Sequence, residues 1–128
     1  MLGERSGKFY SNDDERPRPL VIEHDVRAGR HVVRVSGEVD IFSVSEFTSA
    51  LANAYAADEI IVDLRGCRYM DSSALSALTE VHRRNRRITL VVPSESAIRR
   101  VLEITKLDSL MPVTATLPGE ASAGGSAG

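Results

Sequence analysis

Residues 60–75 read Ile-Ile-Val-Asp-Leu-Arg-Gly-Cys-Arg-Tyr-Met-Asp-Ser-Ser-Ala-Leu, and they contain two successive patterns of secondary structure. Its first five residues form an apolar run rich in β-branched side chains, which is typical of a strand covered on both faces. The next four residues predict a loop that contains a glycine. Beyond the two serines, apolar residues recur at helical spacing, so we expect a helix that runs to about Arg84. A buried strand therefore leads into an amphipathic helix at Asp71 and Ser72.

The turn formed by Asp71, Ser72 and Ser73 has two interpretations. Asp71 or Ser72 is the expected N-cap, because a side-chain oxygen there accepts a hydrogen bond from a first-turn backbone N–H. Taken alone, the spacing favours this purely structural role. The alternative is that a hydroxyl group at the start of the helix is a functional site, and that interpretation needs support from the rest of the chain.

Length and charge limit the classes of protein. The chain has 128 residues, a formal net charge of −2 and a sequence pI near 5.9, which fits one domain with one core. The acidic balance argues against direct nucleic-acid binding, and no apolar stretch approaches the roughly 20 residues of a membrane span. The N-terminus lacks the apolar core of a signal peptide, so we expect a cytoplasmic protein. A lone cysteine, Cys67, fits a reducing compartment, and no His/Cys spacing predicts a metal or cofactor.

Both ends of the chain differ in composition from its middle. Residues 1–19 carry many charges and two prolines with little periodicity, which predicts a flexible N-terminal segment. Residues 117–128 consist mostly of Ala, Ser and Gly, which predicts a disordered C-terminal tail. The predicted domain therefore covers residues 20–116.

The predicted domain opens with a hairpin and a helix. Residues 20–24 and 31–35 are strand-like runs separated by a loop with a glycine. Ser43 and Glu46 have the spacing of a capping box, in which two side chains satisfy the first backbone amides of a helix. We expect that helix to run from 44 to about 57.

Strands and helices alternate through the rest of the domain. After the strand and helix of residues 60–84, we expect a strand over 88–92, a helix capped by Ser94 and an edge strand over 111–115. The order β-β-α-β-α-β-α-β predicts an α/β fold with a mixed sheet of about five strands and helices packed against it. Sites in such folds lie beyond the carboxyl ends of strands. If the second and third strands are neighbours, Asp40, Asp71 and Ser72 form one rim.

These features resemble the STAS domains of bacterial anti-sigma factor antagonists. The resemblance covers about residues 20–115. It is carried by the order of elements, by Gly37-Glu38-Val39-Asp40, by Val62-Asp63-Leu64 followed by Met70-Asp71-Ser72-Ser73-Ala74-Leu75, and by Ala97-Ile98-Arg99-Arg100-Val101-Leu102. In that family an anti-sigma factor with serine kinase activity phosphorylates the hydroxyl directly after the aspartate, and a serine phosphatase restores it. The resemblance implies that this hydroxyl is Ser72.

The resemblance also implies a function without catalysis. The unphosphorylated protein binds the anti-sigma factor, the sigma factor is released, and phosphorylation of Ser72 ends the complex. The residues expected to contact the partner, apart from Ser72 itself, are Asp40, Asp71, Ser73, Ala74, Ser76 and Thr79. Ala74 stands where the family usually has glycine, so we expect its methyl group to face the partner. Lys106 stands at another common glycine position, and we expect a helix end without a left-handed residue there.

Two other functions are compatible with parts of the sequence. One is an unphosphorylated STAS scaffold in a larger regulatory assembly, which fits Ala74 and the absence of a terminal helix after residue 116. The other is a hydrolase that combines Ser72 and Asp71 with a histidine at 24, 31 or 82, or uses Asp40 with Asp71 as an acid/base pair. Ser72 is not the serine of a Gly-x-Ser-x-Gly motif, and the predicted domain has no phosphate-binding glycine loop, so we expect no enzyme.

Overall fold

The computed structural model describes residues 19–84 and 87–119. Most of the predicted N-terminal segment and all of the tail beyond residue 119 lie outside the described residues. The elements are β1 (Val21–Arg27), β2 (Arg30–Val39), α1 (Val44–Asn53), β3 (Glu59–Met70), α2 (Ser72–Arg84), β4 (Ile88–Val91), α3 (Ala97–Ile104), a 3-10 helix (Leu107–Ser109) and β5 (Val113–Thr114). The predicted α/β class and the order β-β-α-β-α-β-α-β are confirmed.

The five strands form one sheet in sequence order, from β1 to β5. β1 pairs antiparallel with β2, and each later neighbouring pair is parallel. Because every crossover advances the sheet in the same direction, right-handed connections place all three helices on one face. Phe47 of α1, Leu78 of α2 and Leu102 of α3 are accordingly fully buried in one core cluster with Val62 of β3.

The other face of the sheet carries no helix among the described residues. Val32, Ile61 and Val91 form a small second cluster there, and Leu117 packs against it. The guanidinium of Arg30 donates to the Pro118 carbonyl at 3.0 Å. The segment directly after residue 116 therefore lies against the helix-free face of the sheet.

β3 is longer than the sequence predicts. The predicted loop over residues 65–68 is wrong, because the strand continues through Gly66 and Cys67 to Met70. A Cβ at Gly66 would lie 2.7 Å from the Ser36 hydroxyl and 3.3 Å from the Ser36 Cβ, so glycine allows β2 and β3 to approach closely here. The pairing is irregular here, with register shifts on both sides of Ser36 and Gly37. The extended strand sets where Asp71 lies.

The caps of two helices differ from the prediction. The capping box of Ser43 and Glu46 does not form, because the Ser43 hydroxyl is engaged by Asp40 and makes no cap bond. The helix that it precedes ends at Asn53 and not near 57. Ser94 is not the cap of α3; Ser96 fills that role and accepts from the Arg99 amide at 3.1 Å.

The end of α3 also contradicts the expectation. Lys106 has φ of 67°, in the left-handed region where a side chain is unfavourable. The Lys106 amide bonds back to the Glu103 carbonyl, and its own carbonyl accepts from Ser109, so the turn into the 3-10 helix imposes the conformation. None of the helices in the described part of the chain is both long and apolar enough to cross a membrane.

Candidate functional site

The candidate site lies where β2 and β3 end side by side. Val39 is paired with Met70, and the Asp71 amide donates to the Val39 carbonyl at 3.2 Å. Asp40 and Asp71 therefore follow two paired residues at the same edge of the sheet. The structure brings together the two acidic residues that the sequence predicted as neighbours.

Asp71 is the N-cap of α2. The sequence predicted either Asp71 or Ser72 for this role. Its Oδ1 atom accepts from the Ser73 amide at 3.0 Å and from the Ala74 amide at 3.2 Å. One carboxylate thus satisfies two first-turn amides of α2.

The two serines after Asp71 have different environments. The Ser73 hydroxyl donates to Asp71 Oδ1 at 2.5 Å and is half-buried. Ser72 is exposed, and its hydroxyl has no hydrogen-bond partner among the described residues. Ser72 is therefore the hydroxyl that a second protein can reach without breaking an internal hydrogen bond.

The surroundings of Asp71 lower its pKa below the ordinary value. The hydrogen bond from the Ser73 hydroxyl is the largest cause; slight burial opposes it, and the amides of Ala74, Ser73 and Ile41 add to it. A carboxyl with a lowered folded pKa stabilises the fold above its unfolded pKa, near 4, and loses this contribution as pH falls through the folded pKa. Asp71 is therefore ionised at neutral pH and supports the start of α2.

Replacing Asp71 with alanine is expected to reduce the free energy of unfolding by about 1 kcal/mol at pH 7, the usual loss for an N-cap. The difference from the unsubstituted protein should shrink at pH 3, below the unfolded pKa, because an ionised cap then requires the carboxyl to release a proton on folding. Urea unfolding at both pH values measures it. The exposed Asp108 gives a matched control, since Asp108→Ala should have little effect at either pH. An equal loss for Asp71→Ala at both values would contradict this role of the charge.

Asp40 organises the loop between β2 and α1. Its Oδ1 atom accepts from the Phe42 amide at 2.9 Å, from the Ser43 amide at 3.2 Å and from the Ser43 hydroxyl at 3.2 Å. Asp40 is half-buried. Its carboxylate therefore fixes the loop beside the candidate site and leaves a negative charge there.

Ser76 and Thr79 line a groove that begins at Ser72. The groove measures about 470 Å³ and lies between α2 and the segment after α3; Leu75 and Leu107 form its apolar part. Ser76 is exposed, whereas the Thr79 hydroxyl donates to the Leu75 carbonyl at 3.0 Å. Two of the predicted contact residues on α2, Ser76 and Thr79, thus share one surface with Ser72.

Ala74 does not belong to that surface. Its side chain is fully buried in the main core cluster, so its methyl group cannot face a partner as expected. The residue lies one and two helical turns before Leu78 and Val81, on the buried stripe of α2. Only its backbone amide takes part in the site, through the bond to Asp71.

The histidines do not join Ser72 in a hydrolytic arrangement. His24 and His31 contact each other at 2.7 Å, Nδ1 to Nε2, and His31 lies at the amino end of β2, opposite to Asp40. His82 is ten residues along α2 from Ser72, about 15 Å at the helical rise. Burial raises the pKa of the Cys67 thiol to about 11, so this side chain is protonated at neutral pH. Catalysis by the proposed triad therefore has no geometric basis in the described residues.

Two neighbouring residues of the site were missed from the sequence. Ile41 and Phe42 follow Asp40 and are strongly exposed despite their apolar side chains. They were missed because they belong to no strand or helix pattern. The sequence signal that could have identified them is a pair of large apolar residues within a polar turn. The site therefore combines an exposed serine, two carboxylates and an apolar protrusion.

Taken together, the fold and site define a small α/β domain with an exposed helix-start serine beside paired strand ends. The model of the STAS domain family matches residues 21–119. The chain belongs to the STAS domain family, and the resemblance seen in the sequence is confirmed.

Solved structures of anti-sigma factor antagonists share this fold. One from Mycobacterium paratuberculosis is 23% identical, with a TM-score of 0.75 over 84% of this chain and 96% of that chain. Unphosphorylated SpoIIAA is 21% identical, with a TM-score of 0.62 over 85% of this chain and 99% of that chain. The phosphorylated form of SpoIIAA, a Bacillus cell fate determinant, is 24% identical, with a TM-score of 0.59 over 80% and 96%. At these identities the likeness establishes the shared fold.

Proposed function

We propose that this protein is an anti-sigma factor antagonist regulated by phosphorylation of Ser72. Its unphosphorylated form binds a cytoplasmic anti-sigma factor that is also a serine kinase, and the sigma factor is released. The kinase then phosphorylates Ser72, the complex separates, and a serine phosphatase restores the hydroxyl. The observation that carries the proposal is the contrast between an exposed Ser72 and a Ser73 held by Asp71.

The position of Ser72 suits an acceptor hydroxyl. Phosphoryl transfer requires the attacking oxygen to reach the γ-phosphate in line, so the hydroxyl must be accessible to the kinase. Ser72 meets this requirement at the first residue of α2, where no core packing depends on its side chain. The added phosphate should therefore leave the fold intact.

The same position makes the phosphate unfavourable in the complex. A phosphoserine carries about −1.5 to −2 charges at pH 7. The Asp71 carboxylate already accepts hydrogen bonds from the amides of Ser73 and Ala74. A phosphate on Ser72 would therefore lie beside a negative charge, and the nearest backbone donors would already be engaged. Like charges brought together at an interface cost several kcal/mol, which favours dissociation of the phosphorylated form.

The groove beside Ser72 offers a surface that suits contact with the partner. Ser76 and Thr79 offer hydroxyl oxygens, and Leu75 and Leu107 offer apolar contacts. A surface that combines a small apolar area with polar groups is typical of transient protein interfaces. We therefore assign partner binding to Asp40, Asp71, Ser76 and Thr79 around Ser72, with Ser73 acting through Asp71.

An in vitro kinase assay tests the proposal. The full chain, Ser72→Ala and Ser73→Ala are each incubated with recombinant anti-sigma factor kinases of the same organism and Mg·ATP. We expect a gain of about 80 Da, one phosphoryl group, in the unsubstituted protein and in Ser73→Ala, and none in Ser72→Ala. Thermal unfolding of both variants checks that they are folded. Phosphate that appears on Ser72→Ala to the same extent would refute the assignment.

A further inference from the structure

The loop after β2 carries the most exposed large apolar side chain of the described residues. Phe42 is 91% exposed, and its neighbour Ile41 is 68% exposed. An aromatic ring in water forgoes the free energy that burial of its apolar surface would give. Scattered exposed apolar residues are ordinary, so exposure alone indicates nothing about a partner. Phe42 differs from the other exposed apolar residues in the geometry of the loop that carries it.

The loop holds Phe42 in a fixed position. The Asp40 carboxylate accepts from the Phe42 amide at 2.9 Å and from the Ser43 amide at 3.2 Å. The Ser43 hydroxyl bonds to the same carboxylate and to the Glu38 carbonyl at 3.2 Å. A side chain on a constrained backbone loses less conformational entropy on binding than one on a slack loop. The backbone that carries the ring is therefore preorganised for a contact.

The loop is also physically joined to the phosphorylation site that we propose. The Asp71 amide donates to the Val39 carbonyl at 3.2 Å, and Val39 is paired with Met70, so the loop and Ser72 follow neighbouring strand ends. The backbones of Phe42 and Ser72 therefore lie within roughly 24 Å, counting about 3.8 Å between consecutive Cα atoms and about 4.8 Å between paired strands. A standard interface covers about 800 Å² on each partner, a patch roughly 30 Å across. A protein that covers Ser72 therefore also meets Phe42.

We propose that Phe42, supported by Ile41, is an apolar anchor for the same anti-sigma factor kinase, which receives the ring in an apolar pocket. This inference rests on the proposed function, since it takes its partner from there. Aromatic side chains that enter a pocket at the centre of an interface are typical binding hot spots. The carboxylates and Ser72 then set the dependence on phosphorylation, and Phe42 supplies affinity in the unphosphorylated state.

The affinity of purified variants for the recombinant kinase tests this anchor. The unsubstituted chain, Phe42→Ala and Val26→Ala are titrated by calorimetry, with Ser72→Asp as a separate arm. Val26 is a matched control because it is 67% exposed but lies near the opposite end of the sheet. We expect Phe42→Ala to weaken binding by about 10- to 100-fold and Val26→Ala to stay within about twofold. The melting temperature of Phe42→Ala should not change, because the ring packs against no core residue.

The outcomes separate this inference from the function on which it rests. Phe42→Ala within about twofold of the unsubstituted protein, while Ser72→Asp still fails to bind, would overturn the anchor and leave the proposed function intact. Ser72→Asp that binds normally would instead refute the proposed function. Sedimentation of the free protein adds a third result. Loss of a dimer in Phe42→Ala, with unchanged affinity for the kinase, would assign the ring to a second copy of this chain and overturn the proposal.

Discussion

Substituting Ser72 with aspartate is expected to weaken binding to the anti-sigma factor kinase by more than a hundredfold. The variant places a carboxylate beside the ionised Asp71, at the edge of the sheet that also carries Asp40. About 3 kcal/mol of unfavourable like charge at the interface corresponds to this factor. Surface plasmon resonance with the immobilised kinase measures the affinity. Ser72→Ala should bind at least as well as the unsubstituted protein and remain bound in the presence of ATP.

A neutral variant of similar size separates charge from shape. Ser72→Asn has nearly the volume of Ser72→Asp but carries no charge, so it should bind far more tightly than the aspartate variant. Ala28→Asp adds the same charge at the turn between β1 and β2, the far end of the sheet, and should leave binding unchanged. Equal weakening by Ser72→Asn and Ser72→Asp would show that size and not charge ends the complex.

Removing the carboxylate of Asp63 is expected to cost about 2–3 kcal/mol of the free energy of unfolding. Asp63 is 2% exposed on the helix-free face and accepts from Arg65 Nη2 at 2.8 Å and from Arg34 Nε at 3.4 Å. Burial raises its pKa, but the hydrogen bonds from both arginines outweigh burial and hold it below the ordinary value. Asp63→Ala leaves two cations without their shared counter-ion. Since both arginines are partly exposed, the loss should fall below the about 3–5 kcal/mol of a fully buried pair.

Urea unfolding of Asp63→Ala at pH 7 measures this loss. The matched control is Asp25→Ala, which breaks an exposed ion pair to Arg27 at 3.1 Å in the same sheet. Such surface pairs contribute about 0–1 kcal/mol. A loss in Asp63→Ala no larger than in Asp25→Ala would contradict the structural role of the buried carboxylate.

The sequence was sufficient for those parts of the fold that depend on periodic patterns. The alternation of strands and helices fixed the parallel order, and that order placed Asp40 and Asp71 at one edge. The burial of Ala74 was also visible in principle, since it shares the helical stripe of Leu78 and Val81. The expectation of an exposed methyl group followed the comparison with glycine in the family and overlooked this helical phase.

Other features depend on contacts that no local pattern contains. The continuation of β3 through Gly66 follows from the approach of Ser36 on another strand, so the glycine was mistaken for a loop residue. Ser43 matches a capping box, but Asp40 competes for its hydroxyl. The same kind of competition distinguishes Ser73 from Ser72. The spacing identified both hydroxyls, and the hydrogen bond to Asp71 decides which of them is accessible.

We expect one hydroxyl, that of Ser72, to receive the phosphate in the cell. Mass spectrometry of the protein isolated from its native host can locate the phosphate. Trypsin releases residues 69–83 as one peptide, which contains both serines of the turn as well as Ser76 and Thr79. We expect about 80 Da of added mass, with fragment ions that assign it to Ser72. Absence of the modified peptide under every growth condition, or assignment of the phosphate to Ser73, would refute regulation through Ser72.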